Sequence, residues 1–467
     1  MQVAVAERLQ WGRVAVPRTL FNWALCWILL PNASFWLLWV VGGPPRTLET
    51  LVVGLVGIVV HRAPFGVKFA AFLGAIIYSV LNFTSSLFNL GIASLIYSLE
   101  LATELKPAAS VEYLVCGAAL ILTLAVGWRL LRLPTELVRP LRFAGAMILT
   151  IAAASLDYSM SLGSLGSYKR VAAPGALFTS AAHASGIEGL ATGNRHILMV
   201  MVEAMGLPQD PAIRQELVNI WARPEVRARY EVVTGDTLFY GSTTGGEMRE
   251  LCGHWGDYFE VLDRKDARCL PARLAAKGYG TQGWHSFTGK FFERNRWYPN
   301  IGFREMRFGD RIVKDGASVC PGVFPGACDR DVPVQIAAAL KHASRPQFLY
   351  WLTVNSHLPV VRNEVLQTMD CARFDAALND RYPMICRLFS LYDQTGSALA
   401  KEVTAADFPD TDILIVGDHI PPFFDRRHRQ AFAPDRVPWI LLKRKTEAPA
   451  RLTSAKAATA ARKVSNS

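Results

Sequence analysis

Apolar residues fall in two regimes along this chain. Up to about residue 160 they form long runs with few charges, and after about residue 195 they form short runs separated by amphipathic stretches. A helix needs ~20 mostly apolar residues to span a bilayer core. Leu20–Val41, Phe69–Leu90, Val111–Trp128 and Phe143–Leu162 meet that length, whereas Thr47–Val60 is short and stays open. Counting it gives five spans. Asp157, near the end of the last span, is either a functional intramembrane acid or a residue of the interface.

The second regime predicts strands at Ile197–Val202, Phe348–Val354, Ile413–Val416 and Trp439–Leu442, with helices such as Val334–His342 and Cys386–Ala400 between them. Strands alternating with helices argue for a mostly parallel sheet covered on both faces. Ligands then bind beyond the carboxyl ends of the strands.

The length of 467 residues calls for at least two units. The pattern divides them into a transmembrane domain over 1–162, a Gly- and Ser-rich linker with room for an interfacial helix over 163–194, a globular α/β domain over 195–445, and a disordered tail over 446–467. The net charge of +11 lies largely in membrane-flanking loops and the tail, so it does not form the basic face that nucleic-acid binding requires. With the N-terminus inside and five spans, the inner segments carry Arg8, Arg13, Arg18, Arg62, Lys68, Arg129, Arg132, Arg139 and Arg142, and the outer loops only Arg46 and Lys106. That bias places the globular domain outside the cytoplasm. Six of the eight cysteines lie in that domain, at 252, 269, 320, 328, 371 and 386. An even number there points to disulfides and an oxidising compartment, with the pairing open among 15 possibilities.

Three predicted strand ends carry polar groups: Glu203, then Asn355-Ser356-His357, then Gly417-Asp418-His419. Two carboxylates and an imidazole at neighbouring strand ends suit a divalent cation such as Zn²⁺ or Mn²⁺. Each alone is equally a cap or an ion-pair partner. Between them, Gly241-Ser-Thr-Thr-Gly-Gly-Glu-Met-Arg-Glu250 leads into a predicted helix at Glu247–Leu251. A hydroxyl there either caps the helix or, beside a metal, serves as a nucleophile.

On these residues the chain resembles the alkaline-phosphatase/sulfatase superfamily, in the membrane-anchored branch that holds lipoteichoic acid synthase and the phosphoethanolamine transferases. Asn194-Arg-His-Ile-Leu-Met-Val-Met-Val-Glu203 is similar to the strand that delivers a metal-binding Glu. Thr243-Thr-Gly-Gly-Glu-Met248 is similar in spacing to the nucleophile segment, with Thr244 as the fallback. Gly417-Asp418-His419 matches the late metal motif. His285, Phe292 (where the family has Trp), Arg294 and His357 match the phosphate- and headgroup-contacting set, and His428 falls where some members carry a late His. The resemblance implies metal ligation by Glu203, Thr243, Asp418 and His419, with His285, Phe292, Arg294, His357 and His428 on the substrate.

It further implies a multi-pass protein of a bacterial inner membrane with its catalytic domain on the periplasmic side. That protein would move phosphoethanolamine or phosphoglycerol from a phospholipid donor, through phosphothreonine, to a glycan or glycolipid acceptor. Two alternatives stand beside it. One is a hydrolase of the same fold, a sulfatase or phosphodiesterase, although the C/S-x-P-x-R signature of sulfatases is missing from the nucleophile segment. The other is a non-catalytic scaffold for envelope polysaccharide assembly.

Overall fold

The computed structural model describes residues 18–41, 43–89, 105–162, 172–423 and 425–445, together with Ile92, Leu95, Ile96 and Tyr168. The tail over 446–467, Arg8 and Arg13 lie outside the described residues.

Among the described residues, three helices are long and apolar enough to cross a membrane: Phe65–Leu87, Val111–Leu130 and Pro140–Ser161. The chain is also helical from Arg18 to Val41, with a π-helical turn at Leu25–Leu29 between the α segments Arg18–Ala24 and Leu30–Val41. Thr47–Val59 is a helix of 13 residues. At 1.5 Å per residue it covers about 20 Å, short of a ~30 Å hydrocarbon core. Its N-terminus is held from the neighbouring helix: Asp157 Oδ2 accepts the Arg46 backbone N–H at 2.8 Å and the Thr47 hydroxyl at 3.1 Å. Asp157 is buried. Its carboxylate satisfies donors that a helix start leaves open.

The globular part is built on a seven-stranded sheet. In chain order its strands are β1 (His196–Val202), β2 (Tyr230–Leu238), β3 (Gly280–His285), β4 (Glu305–Arg307), β7 (Gln347–Leu352), β8 (Thr411–Gly417) and β9 (Arg436–Arg444). Val319–Cys320 (β5) and Gly326–Ala327 (β6) form a separate small hairpin. The sheet order is β2-β9-β8-β1-β7-β3-β4. The β8–β1–β7–β3–β4 pairings are parallel, and β9 runs antiparallel to both β8 and β2. The fold is therefore the mostly parallel α/β arrangement expected from the pattern.

Alternation along β1 explains why a continuous apolar run was required. Leu198, Val200 and Val202 join the core on one face, which includes Ile385, Leu388 and Phe389 of the long helix Pro383–Val403. Ile197, Met199 and Met201 join the core on the other face, with Met248 and Leu251. Burying such side chains is worth about 1.5–3 kcal/mol each, so a strand central to the sheet must be apolar on both faces.

Strands β2 and β3 escaped the sequence pattern for two reasons. β2 is at the sheet edge and reads Tyr-Glu-Val-Val-Thr-Gly-Asp-Thr-Leu, with much of one side exposed. β3 reads Gly-Thr-Gln-Gly-Trp-His, yet every residue is buried. Its polar groups are answered inside: Gln282 Nε2 donates to Gln347, and Trp284 Nε1 donates to Gln282.

Disulfides join Cys252 to Cys269, Cys320 to Cys328 and Cys371 to Cys386. Each closes a short sequence loop. The first staples the end of the helical segment carrying the Thr243 hydroxyl to the helix Leu270–Ala276.

Candidate active site

The parallel strands all point their carboxyl ends at one edge of the sheet, and the polar strand-end residues meet there. Glu203 follows β1, His285 ends β3, His357 follows β7, and Asp418-His419 follow β8. A ligand oxygen or nitrogen from each of Glu203, Asp418 and His419 lies within 4.8 Å of the others. His419 Nε2 is 3.2 Å from Glu203 Oε1 and 3.3 Å from Asp418 Oδ2.

The backbone is shaped to bring them in. Asp418 Oδ1 accepts the N–H groups of Ala204 at 2.8 Å and His419 at 2.6 Å. Ala204 sits at φ +57°, a conformation costly for a residue with a Cβ. Tyr392 Oη holds its carbonyl at 2.6 Å, and Ser356 Oγ holds the Glu203 carbonyl at 2.7 Å. Gly417 has no alternative: a Cβ there would lie 1.9 Å from the Met205 carbonyl oxygen.

Thr243 completes the cluster. It opens a short helix, Thr243–Glu247, that continues into a π turn, Met248–Cys252. The helix thus starts four residues before the expected Glu247. Capping does not explain its hydroxyls. Ser242, the N-cap residue, makes no side-chain cap, and the Ser242 and Thr244 hydroxyls face each other at 3.4 Å. Thr243 Oγ1 instead donates to Glu203 Oε2 at 3.1 Å and lies 3.4 Å from His419 Nε2. The structure therefore brings Thr243, and not Thr244, into the cluster. Gly246 permits the close approach, since a Cβ there would press on Asp418 at 3.1 Å.

Electrostatics fit a cation. Glu203 Oε1 and Asp418 Oδ2 are buried and accept no hydrogen bond among the described residues. Two buried carboxylates this close cannot both be charged without compensation. Burial and the Glu203 charge push the Asp418 carboxyl well up, while on Glu203 the effect of burial is overcome by His357 and His419, which hold it down. Burial opposes the His419 imidazolium, but the adjoining carboxylates push its pKa up. A buried acid–acid–imidazole set with two open carboxylate oxygens is the donor chemistry of a divalent metal site. Glu203, Asp418, His419 and the Thr243 hydroxyl are the residues that would hold it.

The other expected site residues divide. His357 lines a cavity beside the cluster, with Nε2 4.0 Å from Glu203 Oε1 and the Phe324 ring tilted against it at 3.8 Å between centroids. Phe292 lines the same cavity. His285 is buried behind it, its Nδ1 3.2 Å from the Leu352 carbonyl; burial and the Arg294 charge hold its pKa well below the usual histidine range.

Arg294 and His428 are placed otherwise than expected. Arg294 is buried and turned to Glu247, with Nε 3.0 Å and Nη2 2.8 Å from Glu247 Oε2, and Nη1 3.1 Å from the Phe291 carbonyl. Tyr298 and Tyr350 hydroxyls donate to the same carboxylate. The guanidinium is thus a brace for the helix that Thr243 opens, and no part of it lines the cavity. Breaking a buried pair strands its partner charge. Arg294→Ala is therefore expected to lower stability by about 3–5 kcal/mol, measured by denaturant unfolding of the purified protein. The double change Arg294→Met with Glu247→Leu should recover part of that loss, since it removes the stranded charge but also the acceptor of the Tyr298 and Tyr350 hydroxyls. A phosphate-gripping Arg294 would instead leave stability unchanged in the single variant. His428 lies off the cluster: its Nδ1 is 2.5 Å from Asp425 Oδ1, and its ring packs between Tyr382 and Phe423.

A residue that sequence reasoning missed is Arg249. It is fully buried, donates Nη2 to the Gly417 carbonyl at 2.7 Å and Nη1 to the Asp418 carbonyl at 3.1 Å, and pairs through Nε with Glu250. Glu250 in turn accepts the N–H groups of Ala181 and Ala182. An arginine flanked by Met248 and Glu250 on a helix carries no sequence signal that distinguishes it from a surface charge.

The cavity itself measures about 640 Å³. Its walls are Phe83, Leu87 and Phe88 of one membrane helix and its end, Leu120 and Thr123 of another, and Phe291, Phe292 and Phe324 of the globular part, with Thr243, His357 and His419 at one end.

No curated protein matched the sequence. Among solved structures, similarity extends to the lipoteichoic acid synthase LtaP from Listeria monocytogenes, at 16% identity over 58% of this chain and 73% of that one, TM-score 0.43. It also extends to the Streptococcus pyogenes phosphoglycerol transferase GacH in complex with sn-glycerol-1-phosphate, at 17% identity over 58% and 77%, TM-score 0.38. A third is the C-terminal periplasmic domain of EcEptC from Escherichia coli, at 12% identity over 54% and 74%, TM-score 0.37. The sulfatase family model matches residues 229–463, from β2 through Thr243 and Asp418-His419 to the last strand and beyond, and the chain belongs to the sulfatase family.

Proposed function

We propose that the protein transfers a phospho-alcohol headgroup, phosphoethanolamine or phosphoglycerol, from a membrane phospholipid through Thr243 to a glycan or glycolipid acceptor. The observation that carries this reading is the cavity: an apolar space walled by membrane helices ends on the Thr243 hydroxyl. A soluble sulfate or phosphate ester has no use for such walls, whereas the acyl chains of a phospholipid do. Sulfatase-type hydrolysis is disfavoured further by the nucleophile segment, Thr243-Thr-Gly-Gly-Glu247, which carries neither Cys nor the Pro and Arg of the sulfatase signature.

In the first step the Thr243 Oγ–P bond forms and the bond from phosphorus to the diacylglycerol oxygen breaks, with diacylglycerol leaving protonated into the bilayer. In the second, an acceptor hydroxyl attacks the same phosphorus, and Thr243 regains its proton as the P–Oγ bond breaks. Glu203 and His419 orient the Thr243 hydroxyl. His357, on the cavity wall, is placed to exchange a proton with the leaving or attacking oxygen. Phe291, Phe292 and Phe324 exclude water from the phosphothreonine, favouring transfer over hydrolysis. A divalent cation held by Glu203, Asp418 and His419 would supply charge neutralisation that favours the Thr243 alkoxide. The oxidising side of the membrane suits the three disulfides.

The test is to incubate membranes containing the full-length protein with headgroup-labelled phosphatidylethanolamine or phosphatidylglycerol. One label is expected to leave the lipid with stoichiometric release of diacylglycerol and to reach an acceptor. Release of free phospho-alcohol as the sole product would replace transfer by hydrolysis, and no turnover of either lipid would end the proposal.

A further inference from the structure

Five arginines gather where the globular part meets the ends of the membrane helices. Arg426 donates Nη2 to the Met160 carbonyl, in the last turn of Pro140–Ser161, at 3.1 Å. Arg387, on the helix Pro383–Val403, feels the charges of Arg362 and of Glu112 in the first turn of Val111–Leu130. Arg381 and Arg427 flank the Tyr382 ring, 5.0 and 5.2 Å from its centroid, and His428 packs on the same ring.

Local countercharge is sparse and already engaged. Asp210 takes Arg381 at 2.8 Å, Asp425 takes His428, and Glu112 is the one carboxylate whose charge acts on Arg387. Arg387 Nε, Arg426 Nε and His428 Nε2 are buried and have no hydrogen-bond partner among the described residues. Burial and the Arg362 charge hold Arg387 below the usual arginine range. A surface that crowds guanidinium groups and leaves buried donors unpaired is short of an anion.

We infer that this surface binds the phosphate of anionic phospholipids in the membrane leaflet on which the globular domain stands. The Arg426 contact to Met160 fixes its depth at a helix end, where headgroup phosphates lie. Guanidinium forks match phosphate oxygens, and a tyrosine among them is typical of the headgroup region. None of the five arginines, nor Tyr382 or His428, lines the Thr243 cavity, so the site is separate from the proposed donor site and does not depend on the transfer chemistry.

The test uses the full-length protein in phosphatidylcholine nanodiscs containing a photo-cross-linkable phosphatidic acid, whose headgroup carries no alcohol to transfer. Cross-links are expected in the peptides bearing Arg362, Arg387 and Arg427. Native mass spectrometry should show selective retention of phosphatidic acid over phosphatidylcholine. Arg362 and Arg427 are exposed, so Arg362→Gln with Arg427→Gln should leave the fold intact, verified by an unchanged melting temperature. Each lost charge weakens an anionic-surface contact roughly fivefold, so retention should fall about 25-fold. The same protein carrying Thr243→Ala should retain the lipid as well as the parent, which scores binding without turnover. Equal retention of phosphatidylcholine, undiminished binding in the double variant, or displacement by excess inorganic phosphate would each overturn the assignment, the last in favour of a soluble phosphate ligand.

Discussion

Thr243→Ala is expected to reduce headgroup transfer by a factor on the order of 10⁴ or more, the scale on which nucleophile removal acts in covalent catalysis. The reason is geometric. Among the three consecutive hydroxyls of Ser242-Thr243-Thr244, only that of Thr243 meets Glu203 and His419, and Thr244 is turned to Ser242. Alanine at 243 removes the atom that would carry the phosphoryl group and puts nothing in its place. Thr244→Ala loses one long hydroxyl contact and should change the rate by less than about tenfold. Mass spectrometry of the parent protein trapped during turnover should find the headgroup phosphate on Thr243 and on no other residue. Full transfer activity in Thr243→Ala, or an adduct on Thr244, would sink the assignment. Because Thr243 is buried at a helix start, the variant must also keep its melting temperature for the loss to count as chemical.

Much of this site could be read before any coordinates. Ile197–Val202 and Ile413–Val416 are so uniformly apolar that only a central parallel strand accommodates them, and the polar residues after such strands converge because parallel strands end on one side. That is why Glu203, Asp418 and His419 were legible as a group. What stayed hidden depended on partners far away in the chain. β3, with two glycines and a glutamine, becomes a buried strand only because Gln347 and Tyr298 fill the space beside it. Arg294 has the charge and spacing of a phosphate ligand, yet Glu247, Tyr298 and Tyr350 claim it. Asp157 reads only as an acid near the end of a span, and nothing local shows that the start of a short helix 110 residues away takes it. The contact of Phe324, in the disulfide-closed hairpin, with the His357 ring likewise has no local signature.

Asp418→Asn is expected to abolish divalent-metal binding while leaving the metal-free protein as stable as the parent or more so. The two oxygens of Asp418 have different tasks. Oδ1 accepts from Ala204 and His419, and the asparagine carbonyl can take over both bonds. Oδ2 is buried, open, and close to Glu203 Oε1, itself open. An amide N–H there would donate to Glu203, replacing repulsion between two acids by a hydrogen bond and occupying the oxygens that a cation needs. In the parent, Zn²⁺ or Mn²⁺ at about 100 times its Kd should stabilise the fold by about 2.7 kcal/mol, seen as a rise in melting temperature that EDTA reverses. In Asp418→Asn that rise should vanish, and elemental analysis should find well below one equivalent of metal. Asp418→Ala provides the contrast: it also loses the metal, but it strands the Ala204 and His419 N–H groups at a backbone already strained by φ +57°, so its metal-free form should be less stable than the parent. Stoichiometric metal retained by Asp418→Asn would remove this carboxylate from the ligand set, and with it the reason its pKa, its burial and its open oxygen occur together beside Thr243.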